Sequence, residues 1–499
     1  MNHRLGLRPT GHPYAGPMPD TATAPAPLAA ERLAADPRIV EARRLIHEAV
    51  SELQAELAAP RPADPERAEA HQEAVDGFFA RRGGELWYPY LGSGFGAGPL
   101  VELGDGSVKW DMLSGIGVHH FGHLHPDLLD AGLDAALSDT VMQGGLQHNA
   151  DTPECMARFL RLAQAPTLDG GSGSSLTHCF LTTSGAMANE NSFKMAFQKR
   201  ALDGHPADRM LAFEGTFCGR TLALSAMSDK PGNRVGLPLA MNVDYVPFLD
   251  PDDEAGSTER AVKRLKEHLS RWPGHHAGMK LELVIGEGGF YPGSRAFFEA
   301  LIGPLKEAGV AVICDEIQTF GRTSRPFAFQ HFGLDEHVDL VNVGKATQVC
   351  CTLFSEAWAP KPGLIAQTFS GSTSSIRAAL RVLDACEHGG LFDTADGPGH
   401  VVQLGEKVRD RVKAYAAGHP DRVRGPYGVG CMFAFQAGDG SMAQARKLCE
   451  ALYAAGIVAF VCGRAVTRVR FLLPAGGMTL AQADAVCDLL EEVLDGFDW

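Results

Sequence analysis

Short apolar runs alternate with stretches of helical spacing from about residue 175 to 360. HCFLTT (178–183), MLAF (210–213), VDYVPF (243–248), LELVIGE (281–287), VAVICDE (310–316) and DLVNVGK (339–345) have the length and β-branched content of buried strands. That alternation predicts a mainly parallel sheet covered by helices, an α/β fold. Phe297, Phe298, Leu301, Ile302 and Leu305 mark one intervening helix, which stops near Gly309. Upstream, Asp36-Pro37 opens a helix whose apolar positions, Ile39 to Leu57, keep helical spacing, and a second helix covers Pro65 to Arg82. Short strands follow from Leu86, with a hairpin signal at Asp105-Gly106, then a glycine-rich loop and a helix from about Pro126. Downstream, helices over 376–388, 399–416, 441–454 and 480–495 enclose strand-like FAF and VAFV, which predicts a second, smaller α+β domain. Residues 1–35, rich in Pro and Ala and without periodicity, predict a flexible arm.

Composition narrows the partners. The 499 residues are 45% hydrophobic and 21% charged, with a net charge of -15 and no basic run. Nucleic acid and anionic membrane both favour a positive surface, so neither is expected to bind. No uninterrupted apolar stretch reaches membrane length, and the first residues lack the apolar core of a secretory signal. Eleven scattered cysteines, an odd number without CxxC, fit free thiols in a reducing cytoplasm. His119, His120, His123 and His125 lack partners in ligand spacing, so no metal is expected and they read as loop or pocket-wall residues. No GxGxxG opens a helix after a strand, which argues against a nicotinamide dehydrogenase.

Two strand ends carry candidate chemistry. The run Val310–Cys314 ends in Asp315 and Glu316, and Val338–Val343 ends in Gly344-Lys345. Ligands of open α/β sheets gather at the carboxyl ends of strands. Alone, Asp-Glu after a strand is a turn or a helix cap, and a lysine after glycine is solvated surface. Together, with GRT between them, they are the amine and the carboxylate that pyridoxal phosphate chemistry requires: one to form a Schiff base, one to hold the ring nitrogen protonated. Ser184-Gly185-Ala186 follows the first strand and opens a helix, a place where backbone N–H groups receive phosphate.

SGAMANE, FEGTFCGRT, ELVIGEGG, ICDEIQTFGRT, GKAT, QTFSGSTSS and RFLLP stand in the order seen in class III (ornithine/GABA-type) aminotransferases of pyridoxal phosphate fold type I, which this chain resembles from about Gly106 onward. The resemblance implies a large domain (110–374) with a mainly parallel, seven-stranded-type sheet sandwiched by helices. A small domain would be built from 36–109 and 375–499. It implies Lys345 as the Schiff-base lysine and proton carrier, Asp315 at the pyridine nitrogen and Gln318 at the ring's phenolic oxygen. Phe217 and Ile317 would cover the two ring faces, and Gly185 and Ala186 would offer amides to the phosphate. Thr368 would reach the phosphate of a neighbouring subunit, which implies a homodimer with shared active sites. Arg470 would grip a substrate carboxylate, and Glu282 would offset that arginine. The implied reaction is ping-pong transamination from an amine or amino acid to a 2-oxo acid or aldehyde. An aminomutase or racemase of the same family, and a catalytically silent binding protein with this fold, are the alternatives. Met187, Cys218, Leu283 and Ser372-Thr373 depart from the usual family pattern in the pocket wall and its surroundings.

Overall fold

Six of the seven strands in the central sheet run parallel. Across the sheet the order is Leu176–Thr182, Cys350–Ser355, Leu340–Val343, Ala311–Glu316, His276–Leu281, Arg209–Phe213 and Asn242–Val246. Only Cys350–Ser355 is antiparallel to its neighbours. The computed structural model describes residues 26–139, 144–166 and 171–499. The chain divides into two units, Met1–Ile46 and His47–Trp499. Of the arm expected over 1–35, residues 1–25 lie outside the described residues, and Ala29–Ala34 is a short helix. The helix Pro37–Ala55 begins where Asp36-Pro37 predicts, with Asp36 accepting from the Arg38 N–H at 2.9 Å.

The sheet is buried on both faces, which is why its strands read as continuous apolar runs. Along Ala311–Glu316, Ala311 and Ile313 join the cluster holding Phe193 and Ala196 of the helix Gly185–Leu202. Val312 and Cys314 join the one holding Phe297 and Leu301 of the helix Arg295–Glu307. This alternation is the two-residue period of a strand.

Two expectations about strands are corrected. The sheet strand near residue 280 is His276–Leu281, not 281–287. Val284–Ile285 instead pairs with Tyr291–Pro292 in a separate ribbon. Leu283, Val284 and Ile285 are apolar because they are buried where the chain leaves the sheet, not because they belong to it. Cys350–Ser355 was not expected as a strand. It follows a tight reversal after Lys345, in which Gln348 has a left-handed φ of 64°.

Beyond the central sheet, Val423–Val429, Met432–Ala437, Thr467–Leu472 and Phe460–Gly463 form an antiparallel sheet. The hairpin Leu100–Leu103 and Val108–Asp111 turns at Asp105-Gly106, and its second strand accepts Ile457–Val458 in parallel.

Candidate active site

Strand parity separates the two acids at the end of Ala311–Glu316. Glu316 lies on the face of Val312 and Cys314, where it accepts from the Phe329 N–H at 2.8 Å and from the Thr319 hydroxyl. Burial pushes its carboxyl up to about 7 despite those donors. Asp315 takes the opposite face, toward the helix Gly185–Leu202. Its Oδ1 accepts from the Ile317 N–H at 3.1 Å, and its Oδ2 accepts from Asn189 Nδ2 at 3.1 Å. Asn189 is fixed in turn by Asn342 Nδ2, 2.9 Å from its Oδ1, on the strand that delivers Lys345.

Lys345 follows that strand after Gly344 and has φ 54°, the left-handed region that non-glycine residues rarely occupy. Such a conformation costs roughly 1–3 kcal/mol and tends to persist where the surroundings enforce it for function. Gly344 admits the turn because a Cβ there would meet Cys350 Sγ at 2.9 Å. Burial, reinforced by the charge of Arg470 and opposed by Glu287, pushes the Lys345 ammonium down to about 8.

Lys345 and Asp315 wall the same cavity, of about 370 Å³, together with Gly185, Ala186, Phe217, Ile317, Gln318 and Glu282. Eight of the ten expected site residues therefore meet in one place. Gly185 lies so close to Ile317 that a Cβ would stand 2.8 Å from its Cδ1. Ser184 caps the helix by accepting from Met187 N–H at 3.2 Å; the first-turn amides of Gly185 and Ala186 have no partner within the helix, and both residues line the cavity. Gln318 Oε1 is buried without a partner.

Two residues stand apart from the wall. Thr368 is exposed. Arg470, only 1% exposed, lies behind the wall, with Nη1 2.5 Å from Glu287 Oε1. The expectation that Glu282 offsets Arg470 is thereby corrected: Glu287 is the carboxylate that meets it. Glu282 instead accepts from Thr216 Oγ1 at 2.6 Å, Phe217 N–H at 2.8 Å, Gly286 N–H at 3.1 Å and Lys280 Nζ at 3.0 Å. Its carboxylate is engaged by the turn that follows the strand. Glu287 was readable in the quoted ELVIGEGG, where two glutamates compete for one role.

Two of the loop histidines engage neighbours. His123 Nε2 lies 3.0 Å from Asp111, and His125 accepts from the Asp127 N–H. No group of three His, Cys, Asp or Glu side chains among the described residues could hold a metal. Arg464 pairs with Asp229 and Glu214, and Arg468 lies between the rings of Tyr291 and Tyr427. Trp87 packs edge-on to Phe460, and Tyr88 donates to the Ala459 carbonyl at 2.8 Å.

A mainly parallel sheet between helices, with its crevice where the central strands end, is the architecture of pyridoxal phosphate enzymes of fold type I. Comparison with known proteins agrees. The family model described as aminotransferase class-III matches residues 95–494. An acetylornithine aminotransferase of Corynebacterium efficiens is 30% identical over 338 residues, 66% of this chain and 77% of that protein. The 4-aminobutyrate aminotransferase of Escherichia coli is 28% identical over 391 residues, 74% and 85% of the two chains. The solved lysine aminotransferase from M. tuberculosis in the internal aldimine form superposes with a TM-score of 0.71 at 25% identity, covering 80% of this chain and 93% of that one. The chain belongs to the class-III aminotransferases. It is a pyridoxal phosphate-dependent aminotransferase, acting on small-molecule amines and oxo acids. Among the described residues no helix is long and apolar enough to cross a membrane.

Proposed function

We propose that Lys345 and Asp315 carry the transamination, in a ping-pong cycle from an amine or amino acid donor to a 2-oxo acid or aldehyde. The supporting observation is that these two side chains, from the ends of two adjacent strands, wall one cavity. The residues present fit the cofactor. Gln318 Oε1 is an orphaned buried atom at that wall, and interchange of its amide oxygen and nitrogen would offer the ring's phenolic oxygen a donor. All five residues line the cavity: Gly185 and Ala186 would offer amides to the phosphate, Phe217 and Ile317 would cover the ring faces, and Asp315 would hold the proton on the ring nitrogen. Bound pyridoxal phosphate supplies an aldehyde that captures amines and a ring that accepts electron density. Lys345 Nζ would take the proton from the substrate's nitrogen-bearing carbon and pass it to the cofactor's own carbon, and would reverse that transfer for the acceptor. Arg470 receives a substrate carboxylate, and Glu287 occupies it when the substrate carries none there.

Thr368, exposed in its own subunit, serves the phosphate of a neighbouring one in a homodimer. The strands before residue 110 and residues 375–499 form the small domain and 110–374 the large one. The parallel pairing of Ile457–Val458 with Val108–Asp111 supports that division. Eleven buried, free cysteines support a cytoplasmic setting.

A panel of amine donors against pyruvate and 2-oxoglutarate, with keto and amino products both measured, tests the reaction. A keto product should form from the donor only as an amino product forms from the acceptor. Isomerisation of a single amino compound without any acceptor would overturn the ping-pong assignment in favour of a mutase or racemase. The lowered Lys345 value adds a pH dependence. Lysine reacts as the neutral amine, so covalent capture of pyridoxal phosphate by the apoprotein should rise about tenfold per pH unit and level off above about pH 8. Stopped-flow absorbance reads it. A rate still climbing to about pH 10 would mean an ordinary, solvated lysine.

A further inference from the structure

Lys280 is completely buried and stands in the carboxylate network of the cofactor cavity, although its own side chain is not at the wall. It belongs to the strand His276–Leu281, paired in parallel with Ala311–Glu316. Its Nζ lies 3.0 Å from Asp315 Oδ2 and 3.0 Å from Glu282 Oε1. It also donates to the Phe217 carbonyl at 2.7 Å and to Thr216 Oγ1 at 3.1 Å. Burial alone would strip its proton, but Asp315 and Glu282 hold the ammonium well above its ordinary value.

Asp315 Oδ2 accepts from Asn189 Nδ2 and lies 3.0 Å from the Lys280 ammonium, and Oδ1 accepts from the Ile317 N–H. The three N–H groups of Lys280 are directed to Glu282, Thr216 and the Phe217 carbonyl, so Lys280 acts on Asp315 through its charge. Asp315 and Glu282 are two buried acids, and among the described residues Lys280 is the one ammonium touching both. Without it, a cationic ring nitrogen would face two carboxylates; with it, the net charge around that nitrogen is halved.

We propose that Lys280 is a positioning residue that shares Asp315 with the ring nitrogen of the bound cofactor and loosens that nitrogen's hold on its proton. This rests on Asp315 being the nitrogen's partner, as assigned above. Protonation of the ring thus becomes an equilibrium within the working pH range rather than a fixed state. The electron-accepting power of the ring weakens as the nitrogen loses its proton to solvent. A purely structural Lys280, present only to neutralise Glu282, would leave the ring nitrogen unaffected.

The test is 15N NMR of the holoenzyme carrying pyridoxal phosphate labelled at the ring nitrogen, titrated with pH. The wild-type nitrogen should lose its proton with a midpoint between about pH 6 and 9. Lys280→Met, and Lys280→Gln, which keeps a donor for the Phe217 carbonyl, should each raise that midpoint by at least about one pH unit, a tenfold gain in proton affinity. A wild-type nitrogen that stays protonated to about pH 10 overturns the proposal, and needs no variant to fold. A folded Lys280→Met or Lys280→Gln holoenzyme with an unshifted midpoint also overturns it, even if its melting temperature changes. Borohydride reduction and peptide mapping of the same wild-type sample keep the two levels apart. Label on the Lys345 peptide with no titration sinks this inference alone; label elsewhere sinks the site assignment and this inference with it.

Discussion

Lys345→Ala retains pyridoxal phosphate without a covalent link and loses turnover by at least about 10⁴-fold, since general acid–base catalysis alone is worth about 10²–10⁴ and the nucleophile goes with it. Alanine keeps the fold, because the deleted side chain is partly buried and its removal leaves no charge without a partner. Absorbance of the purified variant, dialysis against cofactor-free buffer and single-turnover product analysis separate retention from catalysis. Added small primary amines should restore part of the rate, because the missing function is a neutral amine in a cavity roomy enough to admit one. Near-normal turnover without them would remove Lys345 from the mechanism.

Asp315→Asn lowers kcat by about 10²–10³-fold while the cofactor stays bound. A full charge about 4 Å from a ring cation is worth about 4 kcal/mol gross at an effective dielectric of about 20, and each tenfold in rate is about 1.4 kcal/mol. Desolvation and the competing ammonium of Lys280 at 3.0 Å take back part of that, so the lower half of the range is expected. The variant keeps its shape because the asparagine Oδ1 can still accept from Ile317 N–H, and Lys280 keeps Glu282 as a partner. Steady-state kinetics with one donor–acceptor pair checks the rate, and 15N NMR of the ring nitrogen checks its cause. A loss below threefold would mean that the ring nitrogen does not depend on this carboxylate.

The signals that proved readable in the sequence are local ones. An apolar run ending in an acid, or in Gly-Lys, places Asp315 and Lys345 at strand ends, because the strand and its polar terminus are neighbours along the chain. Ser184-Gly185-Ala186 is legible for the same reason: cap, helix start and close approach occupy three consecutive residues. Lys280 was missed although a signal existed. His276, Gly278 and Lys280 alternate with Ala277, Met279 and Leu281, a two-residue period masked by the more apolar LELVI that follows. Burial of Leu283, Val284 and Ile285 outside the sheet imitates a strand in composition.

Family membership and most strands and helices were thus already written along the chain, since they depend on spacing and on short motifs; the strand Cys350–Ser355 and the bounds of His276–Leu281 were not. Which glutamate meets Arg470, and that Lys280 meets Asp315, required three dimensions. Each of these pairs joins residues more than 30 positions apart through the packing of separate strands and turns. An ion pair forms where side-chain ends come within about 4 Å, and no periodicity along the backbone encodes that distance between distant segments.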